Sequence, residues 1–171
     1  MRNRSGAVFL PWLFILLMIG SLIWLLSRLN TGLQNTEGCR HNLEKIYEYL
    51  TLYERDNGRL PTFELYPEDP EGNLESLSNR LGEFSNFDPE WLICPASPEL
   101  LKSHGITYLW NTALNQSSLS YRDEITWVLV DIQALVDDVP GPHFGTYHIL
   151  YSDGRVERSA SPPHSLPVQF D

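Results

Sequence analysis

Between Ala7 and Leu26 the sequence has no charged side chain, and Ser21 is its one markedly polar residue. That absence excludes an ordinary surface helix, which needs a polar face. Twenty such residues, rising about 1.5 Å each in a helix, match the roughly 30 Å hydrocarbon core of a bilayer. Basic residues are scarce as well: 12 Lys and Arg stand against 22 Asp and Glu. Arg2, Arg4 and Arg28 are the only charges before Asn30, so all of the acidity lies beyond Asn30. Without clustered Lys and Arg the acidic part cannot neutralise phosphates, which excludes a nucleic-acid partner and docking on anionic lipid. Cysteine is down to two, Cys39 and Cys94. Catalytic signatures are missing too: there is no Gly-x-Ser-x-Gly elbow, no phosphate loop and no His-Glu-x-x-His. An enzyme with a small-molecule substrate is not expected.

The Arg residues orient the apolar run. Arg2 and Arg4 precede it and only Arg28 comes closely after it. The positive-inside rule keeps the short N-terminus in the cytoplasm and sends the remainder across. A cleaved secretory signal would have an apolar region of about 7–15 residues ending at a small-x-small site. This run is longer, and the adjoining SRLNTG offers no Ala-x-Ala site. A retained, single-pass anchor is expected.

Past the span, Leu43, Ile46, Tyr47, Leu50 and Tyr53 recur at helical spacing, an apolar stripe on one face. Asp56-Asn57-Gly58 stops the helix and Pro61 lies beyond. If Gly32 and Gly38 do not interrupt it, the helix from Ala7 to Asp56 is about 75 Å long. Residues 62–91 are acidic and rich in Pro, Gly, Asn and Ser. They read as a long loop with a short helix at Leu74–Leu81. Phe84, Phe87, Trp91 and Leu92 are expected to tuck into the core. A helical turn is expected at Pro98–Lys102. Four β-rich runs complete the chain: Gly105-ITYLWN, Ile125-TWVLVD, Thr146-YHILYS and Arg155-VER. Asp153-Gly154 between the last two is a hairpin signal. The sum is an α+β chain with three parts. Residues 1–29 form the cytoplasmic tip and transmembrane helix. Residues 30–159 form a head in which a small antiparallel sheet packs on the helix stripe. Residues 160–171, with three prolines, form an irregular tail.

One order of motifs runs through nearly the whole chain. It begins with a short basic N-terminus, the apolar span and Cys39-Arg-His-Asn42-Leu43. It continues through Tyr53, Asp56-Asn57-Gly58-Arg59-Leu60-Pro61, Cys94-Pro95, Tyr108–Asn111 and Val128–Asp131. It ends with His143, nine residues before Asp153-Gly154. This resembles the type IV pilin-like proteins of the type II secretion pseudopilin group, in particular a bacterial branch with a C-terminal His-x9-Asp-Gly signature. The resemblance implies an inner-membrane protein with a periplasmic head, a long helix packed on a sheet, and other pilin-like subunits or secretion-system proteins as partners. It departs at the N-terminus, where prepilins carry Gly before Phe-Thr-Leu-Ile-Glu. Here Gly6, the candidate processing residue, stands before Ala-Val-Phe-Leu-Pro. Pro11 stands where such a helix has a carboxylate, which in lipid acts as a register device by meeting a partner. The alternative to an assembly subunit is a single-pass anchored binding module of the envelope that does not polymerise.

Four groups of residues are candidates for a site. Cys39 and Cys94 could close a loop of about 55 residues in an oxidising compartment, worth roughly 4 kcal/mol by chain entropy, or remain free thiols. The signature residues His143, Asp153 and Gly154 read structurally: Gly154 makes the turn, Asp153 caps it and His143 anchors the loop before it. A metal reading takes His143, His148 and Asp153 together. A calcium reading takes the oxygens of Asp131, Asp137, Asp138 and Asp153. His41 and His104 stand alone and are expected to be exposed.

Overall fold

The computed structural model describes residues 9–70, 72–119, 124–136 and 139–166, with side chains from Trp12 onward. Gly6, Asp137 and Asp138 lie outside the described residues. The chain divides into two compact units, Met1–Gln34 and Asn35–Asp171.

Helix α1 runs unbroken from Phe9 to Asn57, straight through Gly32 and Gly38. Its character changes along its length. From Trp12 to Leu26 every side chain is exposed, and the most apolar stretch reaches a mean hydropathy of 2.0. From Thr36 onward one stripe is buried: Thr36, Cys39, Leu43, Ile46 and Leu50. The steps alternate three and four residues, the spacing that keeps a helix seam against a flat partner. The helix stops as its sequence demands. Gly58 takes a left-handed φ of 78° and its N–H bonds to the Glu54 carbonyl at 2.7 Å, an ending that a Cβ would disfavour.

In the second unit, four strands form an antiparallel meander in the order β1-β2-β3-β4: β1 Tyr108–Trp110, β2 Trp127–Asp131, β3 Tyr147–Tyr151 and β4 Val156–Ser159. Side chains alternate between the two faces. Tyr108, Trp110, Leu129 and Leu150 join Cys39, Leu43, Ile46 and Leu50 of α1 in one core. Leu109, Val130, Ile149 and Tyr147 face the other way and are covered by Leu65, Leu101, Ile132, Ala134 and Leu135. An irregularity between Trp127 and Leu129 breaks the alternation, which lets Val128 join the helix side beside Leu129. Burial on both faces accounts for the nearly continuous apolar run of β2.

Most expected elements appear with shifted edges. The short helix α2 spans Leu77–Gly82 rather than starting at Leu74. Asn73 accepts the N–H of Glu75, and Ser76 accepts that of Asn79, so the chain turns before the helix can begin. Helix α3 spans Glu99–Lys102. Phe87 and Leu92 are buried, while Phe84 and Trp91 pack against the core from its edge. Tyr49 of α1 meets Phe84, Phe87 and Trp91, all within 5.5 Å between ring centres, two of them edge-on. The tail is irregular through Leu166, and Ser165 accepts from the Trp127 indole N–H at 2.7 Å.

Candidate functional site

The sheet face turned to α1 is apolar over most of its area and polar at one end. Strand pairing sets Tyr108 opposite Asp131, and His148 opposite Arg158. Asp131 is the last residue of β2, and its Oδ2 accepts the His148 backbone N–H at 2.6 Å. Tyr108, Asp131 and His148 therefore lie on adjoining strands in one row across the sheet. Cys39 of α1 closes over that row. Its Sγ lies 3.1 Å from the Tyr108 hydroxyl and 3.7 Å from Asp131 Oδ1. His143 reaches in from the loop before β3, its Nε2 3.3 Å from Asp131 Oδ2 and 3.5 Å from Cys94 Sγ. The rings of His143 and His148 lie 3.9 Å apart, tilted by 36°.

Local chain geometry holds each of these side chains. Gly38 lets α1 approach the Cys94 loop closely, since a Cβ there would meet Pro95 at 3.3 Å. The Cys94 N–H is held by the Thr107 hydroxyl at 2.6 Å. The His143 loop closes on itself through bridges Gly141 to Gly145 and His143 to Thr146, with Phe144 and Gly145 at positive φ. Gly141 cannot carry a side chain there, because a Cβ would run into the Thr146 carbonyl. Arg158 of β4 donates to the His143 carbonyl at 3.0 Å and fastens the loop to the sheet edge.

All six side chains are shut away from solvent: Cys39, Cys94, Tyr108, Asp131, His143 and His148 are each buried, none above 1 % exposure. Burial drives the Cys39 thiol and the Tyr108 phenol upward, and the nearby negative charge of Asp131 adds to both. For Cys94 burial also raises the pKa, but hydrogen bonds from Cys39 and His143 outweigh it and bring the thiol down to about 6. For His143 burial disfavours the charge, yet the Asp131 carboxylate and Cys94 win and lift it to about 9. Burial and the charge of His143 push His148 down to about 3, so it is neutral. The Nδ1 atoms of both His143 and His148 are buried with no hydrogen-bond partner among the described residues. Each such atom costs about 1–3 kcal/mol relative to a satisfied one.

The candidates read from sequence are sorted by this geometry. Cys39 and Cys94 are both buried as free cysteines in the same polar cluster, Cys39 against Tyr108 and Asp131 and Cys94 against His143. His143 and His148 also come together, but without Asp153. That residue sits on the exposed hairpin, where its oxygens accept from the Arg155 backbone at 3.1 Å and from its guanidinium at 2.6 Å. Asp131 is buried beneath α1, held by His143 and the His148 N–H. The calcium set is therefore not assembled from Asp131 and Asp153, whose partners are wholly different; Asp137 and Asp138 lie outside the described residues. His41 and His104 are exposed, as expected. At the signature, Gly154 lies in the turn between β3 and β4, and Asp153 accepts the Arg155 N–H. Gly154 has φ 84°, and a Cβ there would strike the Tyr47 ring at 2.8 Å. Tyr47 donates to the Ser152 carbonyl at 3.1 Å, pinning the hairpin to α1. Asp131 and Tyr108 as neighbours of Cys39 had no local signal. Only the strand register, with Tyr108 opposite Asp131, could have raised them.

Compared with protein-family models, with curated proteins and with solved structures, the chain finds no match. Its own coordinates define the class: an α+β protein in which a long helix, apolar in its first half, precedes a four-stranded antiparallel sheet, the pilin-like order of elements. The apolar half is long enough to cross a membrane, as a single-pass anchor or a signal helix would be.

Proposed function

We propose that this chain is a membrane-anchored, pilin-like structural protein whose exported head takes part in a type II secretion or type IV pilus-like assembly. The observation that carries the reading is the two-part character of α1. Its first half exposes apolar side chains on all sides, while its second half buries a single stripe on a sheet. A helix apolar all round belongs in lipid or against other apolar helices. The acidic head and its closed, polar-cornered core support a carrier or contact role.

Mass spectrometry of the membrane-extracted chain tests maturation. A new N-terminus at Ala7 supports pilin-type processing at Gly6, and a start at Met1 or Arg2 removes it. Single cysteines placed along residues 12–30 and cross-linked in membranes test assembly. Ladders of like subunits support a fibre or bundle. A strictly monomeric product supports the second reading, an anchored envelope module, which Pro11 at the place of the usual carboxylate favours.

A further inference from the structure

The polar end of the α1–sheet interface gathers four side chains of metal-ligand type. Cys39, Asp131, His143 and His148 each present one donor atom, and these four atoms lie within 4.8 Å of one another. We propose that they form a structural zinc site that locks α1 to the sheet.

Four arguments lead there. The donor set is one sulfur, two imidazole nitrogens and one carboxylate oxygen, the mixture that suits Zn2+ and is poor for calcium or magnesium, which take oxygen cages. The number is four, as closed structural zinc sites require, with no open coordination position implied. The four come from four separate segments: α1, the end of β2, the loop before β3 and β3 itself. A single ion would thus cross-link the helix to three parts of the head. Finally, both imidazoles bring a buried ring nitrogen that no protein group satisfies among the described residues.

Charge closes the account. A Cys39 thiolate, an Asp131 carboxylate and two neutral imidazoles give two negative charges, which one Zn2+ cancels. A neutral buried centre avoids the desolvation cost of an uncompensated charge. Zinc takes Cys39 as thiolate and both imidazoles with an unprotonated ligating nitrogen, so binding is coupled to proton release, and no oxidant or reductant is involved.

Surrounding groups are placed as supports. The His148 N–H donates to Asp131 Oδ2 and fixes the carboxylate's orientation. The Tyr108 hydroxyl lies against the Cys39 sulfur. Cys94 stands just outside the four, against His143. The surface hollows lined by Glu64, Asp69 and Asn73 and by Thr126, Tyr151 and His164 include none of the four. The four donors are all buried, so loading accompanies folding.

The test uses the full chain in detergent, purified under a non-thiol reductant from zinc-supplemented cells. Elemental analysis is expected to give one zinc per chain that survives dialysis. Refolding with Co2+ should give tetrahedral d–d bands with a thiolate-to-cobalt charge-transfer band. Cys39→Ser should abolish that band, and His148→Gln should cut the retained metal at least tenfold. Cys94→Ser should keep both metal and band. Melting measured with and without added Zn2+ should show a higher Tm only for chains with the four donors intact. Background metal in the wild-type chain, with a Co2+ spectrum identical to that of the free ion, overturns the proposal. So does binding that persists in Cys39→Ser but fails in Cys94→Ser. A Cys39–Cys94 disulfide that forms when the reductant is removed despite excess zinc also overturns it. The wild-type metal content and spectrum decide the matter even if a variant fails to fold.

Discussion

The two ends of the α1–sheet interface are built from the same elements on opposite physical terms. At the far end Leu43, Ile46 and Leu50 meet Trp110, Leu129 and Leu150 in a dry, close-packed core. There the energy is area and shape, and any apolar side chain of the right volume is tolerated. At the end nearer the span, Cys39, Asp131, His143 and His148 meet in a buried polar knot, where identity and geometry matter more than volume. A dry core stabilises and forgives substitution. A polar one gains little net energy but fixes one register of helix on sheet, because a slip of either strands charges in a low dielectric.

The sharpest way to break this contrast is Asp131→Ala. In the metal-free chain it leaves His143 without its carboxylate partner in a fully buried place and is expected to cost about 4 kcal/mol in urea unfolding of the detergent-solubilised chain. Leu50→Ala at the dry end should cost about 3 kcal/mol by the same measurement. Leu50→Met there should cost little, because volume is kept. Asp131→Asn, which keeps the volume and removes the charge, separates charge from packing: a loss close to that of Asp131→Ala shows that charge governs the polar end, and almost no loss shows that packing does. Next comes Gly154→Ala, which strains a φ of 84° and presses a methyl on Tyr47, for about 2 kcal/mol. Tyr47→Phe removes one hydrogen bond to the Ser152 carbonyl and should cost about 1 kcal/mol. Smallest is Lys45→Ala, where the exposed pair with Glu48 is worth about 0.5 kcal/mol or less, read as a barely moved midpoint.

The dry end was legible in the sequence and the polar end largely was not, for a physical reason. Leu43, Ile46 and Leu50 announce themselves by period, and the strands by β-branched and aromatic runs bounded by an Asp-Gly turn. Those signals are local. The polar knot joins residues 39, 94, 108, 131, 143 and 148, brought together only by strand register and by the close approach that Gly38 permits. Asp131 looked like one member of an acidic group because Asp137 and Asp138 follow it along the chain. Its neighbours in space are a thiol and two imidazoles. Thr36 and Cys39 also extend the buried stripe two turns earlier than the apolar pattern showed, since neither is strongly hydrophobic by type.

The length of chain from His148 to Ser152 acquires a metric sense from Tyr47 and Cys39. Strand β3 is fastened to α1 at two levels: near His148, where Asp131 and Cys39 meet, and at Ser152, where Tyr47 bonds. From Cys39 to Tyr47 the helix climbs about 12 Å. From His148 to Ser152 an extended chain covers about 13 Å. The two rulers agree only for that count of residues, so the interval from His148 to Ser152 works as a caliper. One residue added to β3 would leave the helix and strand fastened at one end and out of step at the other, with every β3 side chain turned to the wrong face.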